Sequence, residues 1–179
     1  MGWTKEPLAR FRALVEGTYP AAPVAHVDRW IPRGTYHSVA LHVALDDPEF
    51  PAAQFQGAYD ILPESSGHVS GDINPRAGQS FRVLRVSLSL GYLFGQDAAL
   101  VPSLGIVGRE TAAQNGHDAH EAIEQVLRFD RNRGGTTPAI TSIRLAGQAQ
   151  TLVSGRLERL IVRAPYEIQV SYAPGTVFP

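Results

Sequence analysis

Residues 165–172 read PYEIQVSY, and this stretch decides the fold class. Along it the large apolar and the polar side chains take turns: Tyr166, Ile168, Val170 and Tyr172 alternate with Glu167, Gln169 and Ser171. Such alternation is typical of a β-strand with one face in the core and the other in water. The whole segment from Ile140 to Tyr172 reads as strand, turn, strand. A two-faced sheet with no catalytic signature beside it favours a protein that acts through its surface and by assembly.

The composition fits one domain with an unusually uncharged surface. The chain has 179 residues, of which 44% are hydrophobic, enough for one core. Charged residues make up 18%, less than the usual quarter or so. The formal net charge is −1, so no overall field attracts nucleic acid or a membrane. Sparse charge fits a surface partly covered by neighbouring subunits, although ordinary monomers also show it.

Several classes of site and segment are missing from the sequence. The chain has no cysteine, which excludes disulfides, cysteine-ligated metals and thiol nucleophiles. No apolar run approaches the roughly 20 residues that span a bilayer. Residues 1–6 show no basic region followed by an apolar run, so no secretory signal is visible. We therefore expect a protein that stays in the cytoplasm or in something assembled there.

The order of predicted elements indicates a single α+β domain over residues 1–179, with a mostly antiparallel sheet packed with two helices. The predicted helices cover 4–16 and a segment that Asn115 opens as N-cap. Residues 46–79 are expected to form a long loop or an inserted hairpin, with 54–62 as a candidate strand, and residues 94–114 a second loop. The predicted strands are 23–30, 36–45, 80–93 with a bulge at Leu84–Arg85, 139–145, 151–162 and 166–172.

The best candidate for chemistry is the predicted helix at 117–124. His117 and Glu121, like His120 and Glu124, lie four residues apart and could hold a divalent metal if a third ligand came from elsewhere. The zincin motif requires two histidines at i and i+4, whereas these two are three apart. A solvated first helical turn explains the same residues, so we predict no metal site. No nucleophile elbow and no phosphate-binding loop is present.

Arginines on or beside the predicted strands, together with the acids at the start of the 46–79 loop, are the candidate interface residues. Arginine side chains on one sheet face could pair with the acidic loop of a neighbouring subunit, or face a lumen that passes DNA. Arginine on the wet face of a monomer is the equally weighted alternative. The candidate subunit-interface residues are Trp30, Arg33, Asp46, Asp47, Arg85, Arg159 and Arg163.

The order of elements resembles that of a known family. The motif segments are the helix at 8–15, the Trp-Ile-Pro at 30–32, the strand at 82–92, the helix at 119–128 and the closing strand at 166–172. Together they are similar to the tail terminator-like proteins of tailed bacteriophages. The resemblance covers about 130 residues and rests on pattern, without a signature motif.

The resemblance implies a structural subunit of the virion that works by geometry, with no catalytic residue, metal or cofactor. Such subunits close into a ring, here expected to be a hexamer, which caps the tail tube and joins it to the head connector. Its partners would be copies of itself, the major tail tube protein and head–tail connector proteins, and DNA would pass through the lumen without sequence-specific binding. Ring closure needs heterologous interfaces, for which the sheet edge and the 46–79 loop are the expected surfaces. Trp30, Tyr166 and Tyr172 are candidate aromatic anchors, with core packing the favoured role of Tyr166.

The sequence is also compatible with two other functions. The first is a metal-dependent enzyme that uses the 117–124 helix. The second is a monomeric ligand-binding α+β module, which predicts a deep pocket between the sheet and one helix.

Overall fold

The computed structural model describes residues 4–15, 40–68, 80–129 and 139–172. The elements in chain order are α1 (Lys5–Val15), α2 (Leu41–Ala44), α3 (Ala52–Phe55), β1 (Tyr59–His68), β2 (Ser80–Leu93), α4 (Gly95–Ala99), α5 (Arg109–Phe129), β3 (Ala139–Leu145), β4 (Gln150–Val153) and β5 (Arg159–Tyr172). The described strands form one antiparallel sheet in the order β1-β2-β5-β3, with β4 also paired to β5. The predicted α+β fold is therefore confirmed. None of the described helices has the length and apolarity that a bilayer-spanning segment needs.

The two long strands β2 and β5 form the centre of the sheet and carry the main core. They pair without a register shift from Ser80 opposite Tyr172 to Leu93 opposite Arg159. Every second side chain points to one face, which we call the inner face: Leu84, Val86, Leu88, Leu90, Tyr92, Val162, Ala164, Tyr166, Ile168 and Val170. The two longer helices, α1 and α5, cover this face. The alternation thus predicted the buried side correctly for Tyr166, Ile168 and Val170.

Helix α5 crosses β5 at a glycine. A Cβ atom at Gly116 would lie 2.3 Å from a methyl carbon of Val162, so only glycine permits this close approach of helix and strand. Helix α5 begins at Arg109, so Asn115, which was predicted to open the helix as its N-cap, lies inside it. Asn115 is therefore not the N-cap, and residues 94–114 are not a loop, since they also contain α4.

Three short helices cover one end of the opposite face, which we call the outer face. Helices α2, α3 and α4 enclose a second apolar cluster with Leu93 and Ile161 of the central strands. A Cβ atom at Gly91 would lie 2.6 Å from the carbonyl oxygen of Phe55, so this glycine lets α3 lie directly on the sheet.

The predicted strand at 36–45 is wrong for the described residues 40–45, which include α2. Leu41, Ala44 and Leu45 are buried at helical spacing while Val43 is exposed, and a short apolar run fits either period. The candidate strand at 23–30 lies outside the described residues.

Strand β5 continues through Pro165, although two separate strands, 151–162 and 166–172, were predicted there. The chain instead turns at 154–158, between β4 and β5. On the side of β5 away from β2, β4 pairs up to Arg163 and β3 from Tyr166 onward. Pro165 lies between the two ladders, and its carbonyl accepts a hydrogen bond from the Ala146 N–H (2.8 Å). Because neither ladder includes this position, the N–H that proline lacks is not needed there.

The segment 46–68 contains α3 and then β1, which pairs with β2. The candidate strand at 54–62 is thus half right, because the chain is helical to Phe55 and extended from Tyr59. The bulge predicted at Leu84–Arg85 lies instead on β1, between Pro63 and Ser65, while β2 runs evenly. The remaining residues of the predicted loop, 69–79, are outside the described part.

Candidate functional site

The outer face of the sheet beyond the short helices is polar and is the candidate functional surface. It carries the odd-numbered positions of the central strands, among them Arg85, Ser87 and Ser89 of β2 and Arg163 and Glu167 of β5. These positions alternate with the buried inner-face residues, so the period-two pattern of each strand places them here. No described helix packs over Arg85, whose side chain is 62% exposed.

Glu167 lies between two arginines from its neighbouring strands. Arg85 on β2 donates from Nε to the Glu167 Oε1 atom (2.9 Å), and Arg144 on β3 donates from Nη2 (2.7 Å) and Nε (3.1 Å) to Oε2. The hydrogen bond from Arg144 is the main cause of the lowered pKa of Glu167; burial opposes it, and the hydrogen bond from Arg85 adds to the lowering. The three side chains form a row across β2, β5 and β3 with charges plus, minus, plus.

A second ionic group lies one step along the same face. Arg163 donates from Nε to the Ser87 hydroxyl (2.6 Å) and from Nη2 to the Glu64 carboxylate (2.5 Å). Glu64 is the residue at the bulge of β1, so the bulge turns its carboxylate toward the sheet face. Asp60 lies nearby on β1, and its burial raises its pKa, although His42 and Arg163 oppose that change.

An open groove lies beside Arg163 at the gap between β3 and β4. It has a volume of about 510 Å³. Its lining comprises Glu64, Gly147, Gln148, Gln150, Arg163 and Pro165. The ligand-binding alternative predicts a pocket between the sheet and a helix, whereas this groove opens on the outer face beside the β3–β4 turn. Its amide, carboxylate and guanidinium groups suit polar contacts.

Arg159, a predicted interface residue, is buried at the end of the sheet and acts within the chain. Its side chain is 3% exposed and pairs with the Asp97 carboxylate through Nε (3.0 Å). Its Nη atoms donate to three backbone carbonyls, those of Ala44 (3.1 Å), Asp47 (3.0 Å) and Phe50 (2.7 Å). The guanidinium also lies 5.3 Å from the centre of the Phe55 ring. These contacts hold the α2–α3 segment against β5.

The two predicted interface acids, Asp46 and Asp47, lie at the same end of the sheet. The Asp46 carboxylate accepts from the Ser154 hydroxyl (2.5 Å) and the Gly155 N–H (3.1 Å), and the Ser154 bond is the main cause of its lowered pKa. The Asp47 carboxylate accepts from the Glu49 N–H (2.9 Å). Asp46 therefore ties the end of α2 to the β4–β5 turn.

The two histidines of the predicted metal helix lie in different environments. His120 is buried, with its Nδ1 2.8 Å from the Tyr166 hydroxyl and its Nε2 3.1 Å from the Val162 carbonyl oxygen. Because a carbonyl only accepts, Nε2 carries the proton and Nδ1 accepts from tyrosine. His117 contacts the Thr151 hydroxyl instead (3.1 Å). Within the described ranges, no three metal-ligating side chains come close enough to hold an ion.

The structure thus brings Arg85 and Arg163 to one face, and Asp46, Asp47 and Arg159 to the covered end. Trp30 and Arg33 lie outside the described residues. Of the aromatic candidates, Tyr166 is fully buried in the core, as favoured. Sequence reasoning missed Glu64, Arg144 and Glu167 as members of the site. The alternation along each strand shows which charged residues share the outer face. Which of them lie next to each other depends on the strand register, which the sequence does not show.

Comparison of the sequence with models of known protein families and with curated protein sequences gives no match.

Proposed function

We propose that the chain is a structural subunit of a tailed-bacteriophage virion that assembles with copies of itself into a ring. In this role a hexameric ring ends the tail tube and joins it to the head connector. The partners are then the tail tube protein and the connector proteins, and DNA passes through the lumen. The subunit carries out no reaction, and its place is the virion.

The observation that carries this proposal is the paired ionic surface of the outer sheet face. Unpaired charges are costly to remove from water, whereas charges already bonded to each other lose less when a neighbour covers them. The Arg85–Glu167–Arg144 row and the Arg163–Glu64 pair leave this face polar but almost neutral. A face of this kind suits a subunit interface, whose rim is polar and hydrogen-bonded.

The α+β architecture also supports the proposal. It agrees with the fold that the resemblance to tail terminator-like proteins implies, and the two outermost strands of the described sheet, β1 and β3, offer the two different patches that a heterologous contact needs. The metal-enzyme alternative gains no such support, because both ring nitrogens of His120 are hydrogen-bonded inside the core, one to the Tyr166 hydroxyl and one to the Val162 carbonyl. We therefore retain assembly as the function.

The test is the size and shape of the purified full-length chain. Light scattering and mass photometry over a range of concentrations, alone and with the tail tube protein encoded in the same genome, should give a closed oligomer with one defined mass. Negative-stain images should show rings with a central opening, located at the ends of tubes. A chain that stays monomeric under both conditions would contradict the proposal, as would a purified monomer that binds a small ligand in the groove.

A further inference from the structure

We infer that the ring closes by contact between opposite edges of the sheet, with Glu64 of one copy next to Arg144 of the next. This inference rests on the proposed function and names the surface that assembly would use. Among the described strands, β1 forms one edge of the sheet and holds two carboxylates, Asp60 and Glu64, with no lysine or arginine. Strand β3 forms the opposite edge of the described sheet and holds Arg144 with no carboxylate. The two edges of one subunit therefore carry opposite charge.

Both side chains retain capacity for another bond. Arg144 is 70% exposed and uses Nε and Nη2 for Glu167, which leaves Nη1 for a further acceptor. Glu64 is 35% exposed and accepts from Arg163 through Oε1, which leaves the other carboxylate oxygen. A carboxylate accepts up to about four hydrogen bonds, so the intramolecular pairs need not break when a second copy arrives.

The charge order selects a head-to-tail contact. Across β2, β5 and β3 the signs run plus, minus, plus, and an acid from the β1 edge of the next copy continues the alternation. A two-fold contact through β1 would instead bring two acidic strands together, and one through β3 would bring together two strands that each carry Arg144. Like charges in contact oppose association. The contact that remains joins β1 of one copy to β3 of the next, and such a heterologous contact generates a ring when the rotation between copies closes.

The contact we infer is made by side chains rather than by a long backbone ladder. Pro63 lacks an N–H and the bulge at Glu64 interrupts the strand, both of which are devices that discourage edge-to-edge strand addition. The same bulge presents Glu64 on the outer face, at the edge where a neighbour's arginine can reach it.

The experiment is a charge swap in the full-length chain. E64R and R144E each place like charges at the contact, and we expect the apparent dissociation constant of the oligomer to rise about tenfold or more in low salt. The double variant E64R/R144E restores an attractive pair and should recover most of the lost affinity. An equimolar mixture of the two single variants should also recover affinity, because copies that alternate around a hexameric ring place opposite charges at every contact. E121R, at an exposed position of α5, makes the same charge change as E64R and is the control.

Rescue by the double variant is specific to contact between copies. Within one subunit the two residues are separated by three strand spacings, about 14 Å, so reversing one cannot repair the local effect of reversing the other. Recovery in the double variant, with E121R like wild type, supports the inference. Singles that assemble like wild type, or a double variant no better than the singles, overturn it while leaving the ring proposal standing. A wild-type chain that never assembles overturns both.

Discussion

The buried histidine of α5 predicts that the protein loses stability as the solution becomes mildly acidic. Burial lowers the pKa of His120 from 6.5 to about 4, an effect larger than the opposing hydrogen bond to the Val162 carbonyl. The neutral ring is the form that fits the core, since its Nε2 donates to that carbonyl and its Nδ1 accepts from Tyr166. In the unfolded chain the same imidazole takes up a proton near its ordinary pKa.

The sign and size follow from linkage. Because the folded pKa lies below the unfolded one, the unfolded chain binds more protons between these values, and the free energy of unfolding falls as the pH falls. A shift from 6.5 to about 4 sets a limit of roughly 3 kcal/mol, reached only below the folded pKa. Between about pH 7 and pH 4.5 the expected loss is roughly 2 kcal/mol. This is a large fraction of the stability of an ordinary domain.

The assay is urea unfolding followed by circular dichroism at a series of pH values, for wild type and for H120Q. The glutamine variant should be less stable at neutral pH but should show a flatter pH dependence, by roughly 2 kcal/mol over this range. T111A, at an exposed position of the same helix, removes no titratable group and is the control, which should keep the wild-type slope. Equal slopes for wild type and H120Q would refute the reasoning.

Three further changes test the packing and the ionic groups by the same unfolding assay. G116A should cost about 2–4 kcal/mol through its clash with β5, whereas G108A, in open space, should be nearly neutral; equal effects would contradict the close approach. R159M should cost about 3–5 kcal/mol, because the partly buried Asp97 carboxylate and three carbonyls lose their buried donor, while R156M at an exposed position should cost under about 0.5 kcal/mol. E167Q should lower stability by at most about 1 kcal/mol, since its partners are largely exposed. That loss should be present at neutral pH and vanish as acid protonates the wild-type carboxylate; a loss that persists in acid would argue against the ionic pairing.

The parts of the fold that can be predicted from the sequence are those in which apolar residues repeat regularly within one segment. Strands β2 and β3 and helix α1 follow from alternation or helical spacing within one segment. The errors arise where a distant contact decides. Asn115 reads locally as a helix N-cap, but α5 runs through it from Arg109 to Phe129 and packs on β5 at Gly116. Pro165 reads as a strand boundary, but it occupies the gap between two neighbouring ladders.

The candidate site shows the same division between local and distant information. Alternation along β5 puts Arg159 and Arg163 on one face, and both were reasonable interface candidates. Arg159 is nevertheless buried, because the short helices that cover it were not predicted from their few residues. The partners Glu64 and Arg144 could not be assigned either, because pairing across three strands depends on register and on a bulge. Charge positions are therefore readable from the sequence, whereas charge partners are not.

The hydrogen bonds of the Arg159 guanidinium affect how the α2–α3 stretch unfolds locally. The guanidinium joins carbonyls before and after Asp47 to the central strand, so the stretch from α2 to α3 has one shared attachment point as well as its apolar contacts. Loss of that attachment releases all of the stretch together, rather than residue by residue. Its amide protons should accordingly exchange with deuterium at one common rate, ahead of those in β2 and β5, as a cooperative subdomain that unfolds while the sheet remains intact.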